Sequence, residues 1–114
     1  MLDINPQWLV HMASIAKTVD SEGWDGQKYA DPIELPKVRV DKGAVYSGSG
    51  NSRVKTANAV VYVYPKYCPG VPYLDDDWLN AQVVYDGKPH ILTNIIVNTA
   101  TDSEDVFSYE LEVM

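Results

Sequence analysis

Apolar and polar side chains alternate through much of this chain, most clearly at its end. From Val106 to Met114, Phe107, Tyr109, Leu111 and Val113 face one way and Ser108, Glu110 and Glu112 the other. That period of two is the mark of a half-buried strand. VVYDGKPHIL predicts a hairpin, because Asp86-Gly87 between apolar runs suits a type I′ turn with positive φ at both centres. Pro89 makes the start of its second arm an edge or irregular. Ile91 to Asn98 continues that arm, and polar Thr99 to Asp105 reads as a turn. Upstream, Ala59 to Tyr64 is a strand stopped by Pro65. Val38 to Tyr46 is another, with Gly43 a bulge candidate. Trp8 to Val19 fits neither the helical nor the strand period fully. Ile15, Thr18 and Val19 tilt it toward strand.

The remaining stretches lack a period. Ser21 to Pro36 is punctuated by Gly23, Gly26, Asp31-Pro32 and Pro36 and reads as loop. Pro65 to Pro72 holds three prolines and Gly70, which excludes regular structure. Five or six strands and little helix predict a mainly β domain. Strands this short must close or pack on themselves to hide their edges, so a small antiparallel barrel or sandwich is expected.

Composition narrows the class. With 114 residues the chain is expected to be one domain, 1–114, with residues 1–7 as an N-terminal arm. Its 46% apolar content argues against disorder. No apolar run reaches the roughly 18 residues of a membrane helix, and MLDINPQWLV has no signal-peptide pattern. The single cysteine, Cys68, excludes an intrachain disulfide and a cysteine-rich zinc site.

Charge adds an asymmetry. The net charge of −7 disfavours a freely diffusing nucleic-acid binder. Yet Lys37, Arg39, Lys42, Arg53 and Lys55 face only Asp41 between positions 37 and 55, a local balance of +4 that leaves −11 on the rest. In the same region Val45 to Ala57 carries the soft run Tyr46, Ser47, Gly48, Ser49, Gly50, Asn51 and Ser52, followed by Arg53 and Lys55. Many surface loops are soft and without function. Structureless loops above about 12 residues are nevertheless uncommon in compact domains unless they do something.

Candidate chemistry is sparse. Asp75, Asp76 and Asp77 invite a calcium reading, but adjacent aspartates in a strand do not converge and the D-x-D-x-D-G pattern is absent. They read better as a solvated acidic turn before Trp78, or as a patch for a basic partner. Asp102, Glu104 and Asp105 form a second acidic run. Cys68 with His11 or His90 would need a catalytic setting that its neighbours Tyr67, Pro69 and Gly70 do not supply. GSGNSRVKT lacks the ending of a phosphate loop. No catalytic residue, metal site or cofactor is expected. Eight tyrosines are more than one thin sheet can bury, so some are expected at an interface.

The order of these features resembles a known family. GWDGQKYADPIELPKVRVD, then a Ser/Asn-rich loop, an apolar strand, VVYDGKPHIL and a final YELEVM together resemble the small minor capsid proteins of long-tailed phages and prophages. These are similar to the head-closure, or stopper, proteins of the head-to-tail connector. The likeness runs from about Gly23 to Met114. It implies a barrel of five or six strands with a long flexible loop between the second and third. It implies a ring, with twelve copies expected, below portal and adaptor rings and above a tail-completion or tail-terminator protein. The loop over 45–57 would project into the channel and meet packaged double-stranded DNA or a neighbour. The implied location is the virion, after assembly in the bacterial cytoplasm, with no membrane partner. The basic stretch and the acidic runs are candidates for the two halves of a subunit contact. A tail-completion or adaptor protein, or an unrelated barrel-type binding module, are the alternatives.

Overall fold

The computed structural model describes residues 6–19, 28–48, 54–100 and 105–114. Among these residues a 3-10 turn at Pro6–Trp8 is followed by eight strands: β1 (His11–Ala16), β2 (Thr18–Val19), β3 (Lys28–Tyr29), β4 (Ile33–Ser47), β5 (Val54–Val63), β6 (Gln82–Tyr85), β7 (Lys88–Thr99) and β8 (Val106–Val113). A second 3-10 turn, Asp76–Trp78, lies between β5 and β6. Six strands close a barrel in the order β1-β4-β5-β8-β7-β6, while β2 and β3 pair apart as a small ribbon. All the pairings are antiparallel. The expected mainly β barrel is therefore the fold, and the Trp8 to Val19 segment is strand from His11 to Ala16 and at Thr18–Val19, after a 3-10 turn that ends at Trp8.

Closure follows from the alternating pattern. Ile15, Leu35, Val38, Val61, Val63, Val83, Leu92, Leu111 and Val113 are fully buried along the inner face. Most come from runs in which every second residue is apolar, and register shifts in the β1–β4 and β7–β8 ladders keep the inner face apolar where that alternation breaks. The Asp86-Gly87 turn has φ of 53° and 72°, as the hairpin reading requires. Pro89 pairs with Val84 of β6, and the β8 ladder begins only at Leu92. Its missing N–H therefore costs no inter-strand bond on the β8 side.

Strand β4 is longer than its sequence suggests. Ser21 to Pro36 reads as loop, but Lys28–Tyr29 is a strand and β4 already begins at Ile33; positions 21–27 lie outside the described residues. Two pairs, His11↔Val38 and Ala13↔Leu35, enclose Met12 on β1 but both Pro36 and Lys37 on β4. The proline thus sits in a β-bulge, where a strand tolerates a residue without an N–H. A second bulge falls at Gly43 and Ala44, between the pairs Lys42↔Ala59 and Val45↔Ala57.

The long connection from β5 to β6 is set by topology. In the closed order β5 and β6 are diametrically opposite, so the chain from Tyr64 to Ala81 must cross one end of the barrel. It does so as a plug. Cys68, Leu74, Trp78 and Ala81 join the core. The Cys68 thiol donates to Lys37 O at 3.4 Å, and the Leu74 N–H donates to the Tyr109 hydroxyl at 3.2 Å. Thr18 Oγ1 donates to Asn80 O at 2.8 Å, and Lys17 lies 5.4 Å from the centre of the Trp78 ring.

Strand β8 departs from simple half-burial. Ser108 and Glu112, expected to face solvent, are only 5% and 9% exposed. The strand runs between β5 and β7, whose side chains cover its outer face. Asn98 Nδ2 donates to Ser108 Oγ (3.1 Å) and Glu110 Oε2 (2.8 Å), and Asn94 Nδ2 donates to Glu112 Oε2 (2.9 Å). The buried Glu112 carboxylate is thus hydrogen-bonded, which makes its burial tolerable.

Candidate functional site

The region expected to be a loop over 45–57 is mostly a ribbon. β4 runs through Ser47 and β5 starts at Val54, with pairs Val45↔Ala57, Tyr46↔Lys55 and Ser47↔Val54. Only the span 48–53 connects them. Tyr46, Gly48 and Lys55 are exposed; Ser47 pairs with Val54; Ser49, Gly50, Asn51, Ser52 and Arg53 lie outside the described residues. The ladder from β8 reaches β5 only as far as Ala59, and that from β1 reaches β4 only as far as Val38. Beyond those points no other described strand joins the hairpin, which continues as a two-stranded arm with Ala57 buried at its base. Sequence reading missed this because Gly43 and the Ser/Gly run mask the strand period, while backbone pairing does not depend on those side chains.

Direction now sorts the charges. β4 runs toward the arm and β5 away from it, so the Tyr64–Ala81 plug lies at the opposite end of the barrel. The antiparallel order puts the β7–β8 turn at the plug end too, and the Asp86-Gly87 turn at the arm end. Asp75, Asp76, Asp77 and Asp105 are therefore together at one end and Lys42 and Lys55 at the other. Asp102 and Glu104 lie outside the described residues. Asp75 caps the 3-10 turn, its Oδ1 accepting from the Asp77 N–H at 3.0 Å, and all three aspartates are exposed. Among the described residues no group of histidine, cysteine and carboxylate side chains is placed to hold a metal.

The other candidates have structural settings. Cys68 is fully buried, and burial pushes its thiol above the usual range. A buried neutral thiol is a poor nucleophile. His11 Nδ1 accepts the Val40 N–H at 3.2 Å, replacing a ladder bond where β1 ends. His90 stacks on Tyr85, with ring centres 4.1 Å apart. Neither imidazole is paired with Cys68.

At the arm end a Lys42–Asp86 ion pair joins β4 to the β6–β7 turn. The lysine's hydrogen bond and charge hold the Asp86 carboxyl below its usual range, and the same contact raises Lys42. Beside it a shallow groove of about 430 Å³ runs along the barrel wall. It is lined by Val10, Met12 and Ser14 of β1 and its lead-in, Glu34 of β4, and Val84 and Asp86. Met12 is 68% exposed and Val10 66%. Nothing in the sequence singled out this stripe, because Val10 and Met12 sit in the segment whose period was ambiguous.

A family model described as minor capsid protein matches residues 6–113. The chain belongs to the minor capsid protein family. Among curated proteins it is 29% identical over 91 residues to "Uncharacterized protein ORF5" of Lactococcus phage LL-H, covering 80% of this chain and 71% of the relative. No solved structure matches this chain. A phage minor capsid protein is a structural component of the virion and associates with other virion components. Membership favours a structural role over catalysis, in line with the buried thiol and the separated histidines. No helix among the described residues is long and apolar enough to cross a membrane.

Proposed function

We propose that this minor capsid protein is the head-closure component of the head-to-tail connector. Copies form a ring, twelve in the full connector, below the portal and adaptor rings. The ring retains packaged DNA and presents the surface on which the tail-completion or terminator protein docks.

The observation that carries this reading is the β4–β5 arm. It leaves a closed barrel at one end, bears Lys55 near its tip and continues into a span that includes Arg53. The barrel has no free sheet edges of its own around its closed part, so the arm is its one long extension among the described residues. A cation in that span, Arg53, meets DNA phosphate without regard to sequence, as a channel requires, and leaves Lys55 for contact between copies. An acidic body of overall charge −7 keeps the remaining wall from gripping the DNA. The acidic plug end then faces the neighbouring ring on the other side.

The test is sign reversal in the arm. Arg53→Glu with Lys55→Glu removes the attraction for phosphate or for an acidic neighbour alike. Particles carrying it are expected to lose DNA or fail to join tails, scored as empty or tailless heads by electron microscopy and as a drop in infectious titre. A normal yield of filled, tailed particles overturns the reading.

A further inference from the structure

Resting on the ring reading, we propose that the outer face of the β4–β5 arm, Tyr46 with Lys55, docks into the Val10–Met12 groove of the neighbouring copy, where Glu34 receives the lysine.

Both halves of this contact are on the chain, in different places. Tyr46 and Lys55 are a cross-strand pair, so they share one face of the arm. The tyrosine is half exposed at 49%, and the lysine is exposed beside it. An aromatic body next to a cation calls for an apolar surface flanked by carboxylates. The groove has that composition. Val10, Met12 and Ser14 alternate onto the outer face of β1, Ser14 pairs with Glu34 and with Val84, and Asp86 stands at the arm end. Exposed apolar stripes rimmed by polar groups mark interaction sites.

The arm cannot fill its own groove. Lys42 already reaches Asp86, and Tyr46 is four residues further along β4, roughly 13 Å beyond it at strand rise. The ladder carries the tyrosine away from the barrel wall, so the occupant must be a second chain. A two-stranded ribbon that no other described strand joins is also marginal in water without a surface to lie on. Geometry then chooses between the acidic surfaces. Asp75, Asp76, Asp77 and Asp105 lie at the plug end, a barrel length from the arm. In a flat ring an arm at one end reaches the neighbour's wall near that same end, where the groove lies. Two different patches of one chain make a head-to-tail contact, which closes into a ring when the rotation permits.

Disulfide capture on purified protein tests this without particles. Tyr46→Cys and Met12→Cys are made as separate single variants; the native Cys68 is fully buried and does not compete. Mixed under mild oxidation up to about 1 mM, the range in which weak contacts are populated, the two are expected to give a covalent dimer that neither gives alone. Adding Lys55→Glu to the Tyr46→Cys chain is expected to lower the yield about fivefold, the upper range for an exposed ion pair. Glu34→Lys on the Met12→Cys chain restores it. Absence of the mixed dimer overturns the proposal, as does a Met12→Cys chain that couples mainly to itself. Absence together with a duplex-DNA mobility shift that Lys55→Glu abolishes assigns this face of the arm to DNA and also overturns it. The outcome is independent of the particle assay, so head closure can stand while this contact falls, and the reverse.

Discussion

Tyr109 shows how one side chain ties the plug to the barrel. Its ring lies inside, 2% exposed, and meets Tyr73 edge-on at 6.3 Å between centres. Its hydroxyl accepts the Leu74 N–H, a backbone donor that is buried and has to be paired. The two contributions separate by mutation. Tyr109→Phe keeps the ring and strands the Leu74 donor, at an expected cost of about 1–2 kcal/mol. Tyr109→Ala also empties the ring's volume and is expected to cost about 3–5 kcal/mol. Urea denaturation of the three proteins checks both values; equal losses would mean that the ring contributes nothing beyond its hydroxyl. The inward direction of Tyr109 was legible from the β8 alternation. Its partner was not, because Leu74 follows a proline-rich run whose path only the barrel's topology fixes.

At the scale of elements, the hairpin and the last strand were readable because each depends on local chemistry. Asp86-Gly87 admits one tight turn, and that turn sets the β6–β7 register. Gly87 has φ of 72° with open space around the position where a Cβ would stand. Gly87→Ala therefore adds no clash with other residues, only backbone strain, expected at about 1–2 kcal/mol. A shift of the urea midpoint with unchanged slope would register it as a pure loss of stability. Strand β4 was less legible because two non-local devices extend it. Pro36 would end a strand paired on both sides, but here it stands in a bulge opposite Met12, before the β5 ladder begins at Val38. The arm beyond the buried Ala57 escapes the alternation rule because its described side chains, Tyr46, Val54 and Lys55, are exposed. The polar cover on β8 escaped for the opposite reason, since Asn94 and Asn98 become its neighbours only after β7 and β8 pair.

On the scale of the whole molecule, barrel and arm separate energetically. The radius of gyration, 14.9 Å, exceeds the roughly 13 Å of a compact chain this long, consistent with structure outside the core. The buried cluster draws on every barrel strand and on the plug; Tyr46, Gly48, Val54 and Lys55 of the arm are exposed. Replacing residues 46–56 with Asn-Gly would close the arm with a tight turn directly after the Val45↔Ala57 pair. The shortened protein is expected to melt within about 5 °C of the parent, since 1 kcal/mol moves a domain of this size by roughly that amount. A larger fall in a thermal circular-dichroism scan would show that the arm helps hold the barrel together, and the case for a projecting element would then weaken. A stable barrel that no longer supports tailed particles would place the arm's contribution outside the fold, in contacts made with other molecules. An arm that adds little to its own barrel has no reason in stability for the bulge at Gly43 and Ala44. Contact with a second surface gives it a physical cause: the bulge re-aims the ribbon toward that surface.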